Sequence, residues 1–167
     1  APRLQVRDGP IDYLMLDYLA EITMSILQKQ RERDPSLGYA RDFVPLVAGL
    51  APELIGRNVR VVSNAGGVNP EGCQSALFEA LDSVPTSRPL RVAVVSGDDL
   101  MERLDALIAE GHELRNMETG EPLSSIRDRV QAANAYIGAA PIMEALAEKA
   151  DVVITGRSTD TALTYAP

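Results

Sequence analysis

The residues able to do chemistry gather in four places, each just after a short aliphatic run. Asp17 and Glu21 follow Tyr13 to Leu16. Asn64, Gly66, Gly67 and Asn69 follow Val59 to Val62. Asp98 and Asp99 follow Val92 to Val95, and Arg157 and Asp160 follow Val152 to Ile154. Asn134 and Tyr136 flank a weaker apolar stretch at 135–137.

Each cluster has a chemical reading and a plainer one. In the loop NAGGVNP, paired glycines let backbone N–H groups turn inward, and a helix start beyond them adds partial positive charge. A carboxylate, or the phosphates of a nucleotide or coenzyme A, fits such a loop; so does a simple turn capped by Asn69. No Gly-Lys-Ser/Thr follows, and the glycine spacing is not that of a dinucleotide fingerprint. One of Asp98 and Asp99 could serve as general base or divalent-metal ligand while the other caps the next helix. Arg157 suits a bidentate clamp on a carboxylate or phosphate, and equally an ion pair with Asp98 or Asp160. Asp17 and Glu21 stand at i, i+4, a spacing that faces one side of a helix. Tyr136 is either a hydrogen-bonding acid or a packed aromatic with a satisfied hydroxyl.

Other chemistries lack the residues they need. With one histidine, His112, and one cysteine, Cys73, no His-cluster zinc site and no internal disulfide can be assembled. Cys73 falls on the apolar stripe of a helix and reads as an inert buried thiol. His112 reads as a surface residue.

The elements that position these groups follow from periodicity. The aliphatic runs are rich in β-branched residues and lack in/out alternation, which marks strands covered on both faces. Residues 135–137 are a weaker fifth candidate. Between the runs, apolar residues recur at helical spacing: 73, 76, 77, 80, 81 and 84 behind the cap Asn69 and Pro70; 100, 101, 104, 107 and 108 ending at Gly111; and 142, 143 and 146 after Pro141. Further helices are predicted over 20–33 and from 41 into 50–55. Residues 83–89 read as a helix-to-strand loop. Alternating strand and helix predicts α/β architecture built from βαβ units with a mainly parallel sheet, either an open three-layer domain or part of a barrel-like one. In both, ligands bind at the carboxyl ends of the strands.

A chain of 167 residues suffices for one domain, 1–167. Its 46% hydrophobic content supports a core, which must be aliphatic because aromatics are only 4% and Trp is absent. A net charge of −8 disfavours a nucleic-acid partner. No run is long enough to span a membrane and no signal-peptide pattern opens the chain, so a cytoplasmic protein acting on a small molecule is expected. A homo-oligomer is expected from the habits of soluble enzymes.

Six segments, DYLAEITMSIL, RDPSLGYARDFV, VSNAGGVNP, SGDDL, ANAYIGAAPIMEAL and ADVVITGRSTDTAL, resemble in this order the core domain of the acyclic terpene utilization (AtuA) family. The resemblance runs from about Gly9 to Pro167. Family members usually begin with a Gly-rich strand and loop and continue further, so the chain is expected to be a fragment of a longer core domain. The resemblance implies catabolism of acyclic terpenes or branched acids as acyl-CoA thioesters, without implying a defined reaction. The expectation carried forward is hydratase- or lyase-type chemistry with coenzyme A thioester substrate. Asp98 or Asp99 would be the base, the NAGG backbone and Asn64 the hydrogen-bond donors, and Arg157 the carboxylate clamp. Gly66, Gly67, Asn69, Asn134, Tyr136, Asp160, Asp17 and Glu21 would contact substrate. Two alternatives stand beside it. One is a non-catalytic acyl-CoA-binding or assembly subunit serving a carboxylase or dehydrogenase. The other is a hydrolase using a divalent metal.

Overall fold

Short β-branched runs can satisfy their backbone polar groups by lying side by side, and four do so in a computed structural model that describes residues 1–167. β1 (Tyr13–Leu16), β2 (Arg60–Ser63), β3 (Val92–Val95) and β4 (Val152–Thr155) form one parallel sheet in the order β1-β2-β4-β3. The two central strands are the best buried: Val61, Val62, Val152, Val153 and Ile154 have no exposed surface.

The helices are α1 (Pro2–Asp8), α2 (Glu21–Arg33), α3 (Phe43–Ala48), α4 (Ala51–Arg57), α5 (Pro70–Leu81), α6 (Leu104–Ala109), α7 (Ala140–Ala147) and α8 (Asp160–Tyr165). Successive strand residues point to opposite faces, so each central strand feeds two cores. Val61, Val152 and Ile154 pack with Phe43, Leu54 and Leu77 of α3, α4 and α5. Val62 and Val153 pack with Ile142, Leu146 and Leu163 of α7 and α8. The result is three layers, helix on sheet on helix, the open one of the two arrangements that the alternation allows.

Three local expectations change. Residues 135–137 form no strand; Asn134 and Ile137 make only isolated bridges, to Asp99 and Ser158. Their single short apolar run has no strand beside it to complete a ladder. The predicted helix over 41–55 is two helices, because Pro52 has no N–H for an i−4 bond and the chain turns at Gly49 and Leu50. The helix after β3 opens as a 3₁₀ turn, Met101–Arg103, and buries only Leu104 of its stripe before ending at Gly111. Helix α1 was not expected at all, since seven residues with one buried side chain, Val6, carry too little periodicity to be seen.

At the amino ends of β3 and β4, Arg88 holds Asp151 with bonds of 2.7 and 2.8 Å, and the Arg91 amide adds another at 2.8 Å. Burial alone would raise this carboxyl, but the Arg88 hydrogen bonds, the Arg91 amide and both cations outweigh it and hold it below the usual value. A depressed folded pKa contributes stability above the unfolded value of about 3.9, and that stability is lost as pH falls through the folded value. Asp151→Asn should therefore cost about 1.5–3 kcal/mol at neutral pH and far less near pH 2, measured by urea denaturation at both. Equal costs at the two pH values would remove the ion pair from the account.

Connections leaving β1 and β2 carry α3, α4 and α5 on one face, whereas α7 and α8, before and after β4, lie on the other. The direction of winding therefore reverses between the neighbours β2 and β4. In open parallel sheets this is where loops diverge and ligands bind.

Candidate functional site

Parallel register sets which loops meet. Leu16 pairs with Ser63, so the next residues, Asp17 and Asn64, are neighbours. The Asn64 amide donates to Asp17 Oδ1 at 2.6 Å, and its Oδ1 accepts the Tyr18 amide at 2.7 Å. Asp17 also accepts the Leu19 amide at 3.1 Å, which folds the segment entering α2. Asn64 is fully buried and both ends of its side chain are committed to this segment. Asp17 and Glu21 do not share a face, because α2 begins only at Glu21.

Val95 pairs with Thr155, which lays the turn after β3 against Gly156 and Arg157. Asp98 is 3% exposed; its Oδ2 accepts the Arg157 amide at 2.8 Å and the Asn134 side-chain amide at 3.0 Å. Gly156 is what admits this carboxylate: a Cβ there would lie 2.2 Å from Asp98 Oδ1. Burial pushes the Asp98 carboxyl up, and the charge of Asp99 adds to that, while the Arg157 and Asn134 bonds oppose it. Asp98 thus holds a proton more readily than an ordinary carboxylate. Asp99 does different work. It is exposed and its Oδ1 accepts the Met101 amide, the first of the 3₁₀ turn, at 2.9 Å.

Arg157 is buried across the top of β4, its Nη1 donating to the Leu19 carbonyl at 2.8 Å. Its ionic contacts are long: 3.5 Å to Glu21 and 3.8 Å to Asp160. Of the two ion-pair partners the sequence offered, Asp160 is met and Asp98 binds the backbone amide instead. Tyr136 lies over the guanidinium at 4.2 Å and donates its hydroxyl to Glu21 Oε1 at 2.6 Å. That hydroxyl, with the residue's own amide and Arg157, holds the Glu21 carboxyl below the usual range.

The glycine loop is closed rather than open. Ala65 N–H donates to Ser63 Oγ, Gly66 to the Thr155 carbonyl, Gly67 to Asn64, Val68 to Gly38 and Asn69 to Gly66. Asn69 caps α5 through Gly72 and also donates to the Pro35 and Leu37 carbonyls. Gly67 has φ +56°, and a Cβ there would meet Leu27 at 2.5 Å and the Gly38 carbonyl at 2.6 Å. With the amides of Ala65 to Asn69 engaged and 61–70 buried beneath α2 and 35–40, these five donors are turned away from any anion. Its role in this fold is to seat α5 and the cover above it.

A cleft of about 360 Å³ lies beside the site, walled by Gln28, Arg31 and Glu32 of α2, Asp99, Gln131 and Asn134. Asn134 alone belongs both to this cleft and to the contacts of Asp98. Arg31, which donates to the Val68 carbonyl, was not singled out from sequence. It sits in the run QKQRER and reads there as one more solvated cation, with no signal marking it. Ser158 was also missed: its hydroxyl is buried and has no hydrogen-bond partner. Cys73 is buried and its thiol is pushed up to about 12 by burial, consistent with an inert side chain. No three His, Cys, Asp or Glu side chains converge as a metal-ligand set. No helix is long and apolar enough to cross a membrane.

Fold and site together define an open parallel α/β protein whose polar cluster sits where the strand order reverses. The model of the acyclic terpene utilisation family protein AtuA matches residues 1–167, and the chain belongs to that family. No curated protein and no solved structure matches it.

Proposed function

We propose that this protein acts in acyclic terpene or branched acyl-CoA catabolism as an enzyme of hydration/dehydration or lyase type. One observation carries the reading: a buried carboxyl of raised proton affinity, Asp98, accepts the backbone amide of Arg157, a residue whose buried guanidinium makes only long ionic contacts. Such reactions move a proton at the carbon next to a thioester carbonyl while negative charge grows on the carbonyl oxygen. Asp98 would exchange the proton, Asn134 would link it to the cleft, and Arg157 would hold a carboxylate or the developing oxyanion. The glycine-loop amides, engaged elsewhere, are left out of this scheme.

Asp98→Asn preserves shape and an acceptor oxygen, and should abolish turnover of branched acyl-CoAs while circular dichroism stays unchanged. Because the folded pKa of Asp98 is raised, its contribution favours the fold below the unfolded pKa and is lost as pH rises through the folded value. The same variant should therefore flatten the stability–pH curve across that window. Full turnover in Asp98→Asn would end the catalytic role.

The near-complete burial of Asp98 favours a second reading, a non-catalytic acyl-CoA-binding subunit. A thermal-shift screen against acyl-CoAs, free coenzyme A and branched acids tests both. Ligand at about 100 times its Kd adds about 2.7 kcal/mol of stability. Stabilisation by thioesters with no turnover supports the subunit; a flat response to every thioester defeats both readings.

A further inference from the structure

We infer that the Glu21 carboxylate is an internal stand-in for a carboxylate ligand of Arg157, held in place by Tyr136, so that ligand entry requires this latch to open. The inference rests on the assignment of Arg157 as an anion-holding residue in the proposed function.

Arg157 lacks close partners for most of its donors. A guanidinium carries five donors, yet the short side-chain bond here is the one to the Leu19 carbonyl. Its approach to Glu21 Oε1 is 3.5 Å, too long and loose for the bidentate grip that arginine makes on a dedicated carboxylate partner. Glu21 is itself 78% exposed on its side chain, while that of Arg157 is 6% exposed. An exposed carboxylate thus sits against a buried cation.

Tyr136 explains why Glu21 stays. Its hydroxyl grips the same oxygen, Oε1, at 2.6 Å, and its ring covers the guanidinium at 4.2 Å. The ring is half-exposed, whereas its neighbours Ile137 and Ala139 pack against the core under α7 and α8, so the latch opens by rotation of the Tyr136 and Glu21 side chains while the backbone stays in place. The occupant of the site in this fold is a carboxylate, and a carboxylate ligand would replace it like for like. Asp160, at 3.8 Å, flanks the cation on a second side and remains when Glu21 leaves. That arrangement favours a singly charged carboxylate over a phosphate, which would bring more negative charge against Asp160.

Titration of the full chain with 3-methylbutanoate and with inorganic phosphate, followed by NMR of the arginine side-chain and Tyr136 signals, tests the latch. Glu21→Gln should bind 3-methylbutanoate about two- to fivefold tighter than the parent chain, the range for release of an exposed ion pair. Tyr136→Phe keeps the ring and loses the tether, and should shift affinity in the same direction by less. The double variant should gain no more than Glu21→Gln alone. Both sites are exposed, so the variants should fold as the parent does. Unchanged or weaker 3-methylbutanoate binding in Glu21→Gln overturns the latch, as does stronger binding of phosphate than of carboxylate. The readout is independent of turnover. Enhanced carboxylate binding without activity on any thioester keeps the latch and sinks the reaction, whereas Asp98-dependent turnover with no Glu21 effect does the reverse.

Discussion

Gly66→Ala is expected to lower stability by about 3 kcal/mol or more, the upper part of the range for forced overpacking. The new methyl would lie 2.6 Å from the Thr155 carbonyl oxygen and 2.9 Å from Pro70 Cα. Both are backbone atoms, one of central strand β4 and one of the first residue of α5, so no side-chain rotation relieves the contact. Moving either breaks the bonds that close the loop, from Gly66 to Thr155 and from Asn69 to Gly66. In a domain of this size such a loss lowers Tm by roughly 6–12 °C. Gly56→Ala provides the contrast: nothing lies within 4 Å of a Cβ there, and in helix α4 the change should add about 0.5–1 kcal/mol. Thermal unfolding of the two variants decides the matter. A Gly66→Ala protein as stable as the parent would mean that the loop is not the close junction described.

Gly156→Ala should disable the site as thoroughly as loss of Asp98 itself. Its methyl would stand 2.2 Å from Asp98 Oδ1 and 2.6 Å from Cγ, so the carboxylate must leave its place. The Arg157 amide and the Asn134 side chain then lose their acceptor, and unsatisfied buried donors cost about 1–3 kcal/mol. The sharp form of the prediction is a cycle. Gly156→Ala should be costly in the parent chain and nearly neutral in an Asp98→Ala background, where the methyl occupies vacated space. Denaturant midpoints of the four proteins give the coupling directly. The same cost in both backgrounds would show that Gly156 serves something other than Asp98.

The two glycines also separate what chain pattern can announce from what it cannot. Consecutive glycines at 66 and 67 stand out in sequence and suggested a ligand-binding loop; the fold uses them for close approach, with the amides bonded inward. Gly156 carries no such signal, because its constraint is a carboxylate 58 positions earlier in the chain that only the β3–β4 register brings to it.

Much was nevertheless legible. Val92–Val95 and Val152–Thr155 declare themselves as strands because β-branched side chains without alternation suit a pleated ribbon covered on both faces. Asn69 followed by Pro70 marks the start of α5, since capping is a contact between residues three apart. The polar residues after each strand were identifiable as a candidate site because all strand carboxyl ends in a parallel sheet emerge on one edge. Local chemistry acts over a turn or a strand, so these elements, the α/β class with a mainly parallel sheet and the edge that carries the candidate residues were legible in the sequence, whereas the choice between open sheet and barrel was not.

Which of those residues lie together is a matter of packing alone. Asp98 and Asp99 are equivalent in sequence; packing against Gly156 buries the first, and the second is left at the surface to accept the Met101 amide. Of the two acidic neighbours in prospect, Arg157 meets Asp160 and not Asp98, and it adds a third, Glu21, together with the ring of Tyr136. These pairings span 59 residues from Asp98 to Arg157 and 115 from Glu21 to Tyr136. No periodicity reaches so far. Such contacts exist only because the sheet orders its strands 1-2-4-3 and reverses its winding between β2 and β4. The physical reason is that burial and hydrogen-bond satisfaction are settled by whatever the fold places alongside, and that is a property of the packed chain rather than of any segment in it.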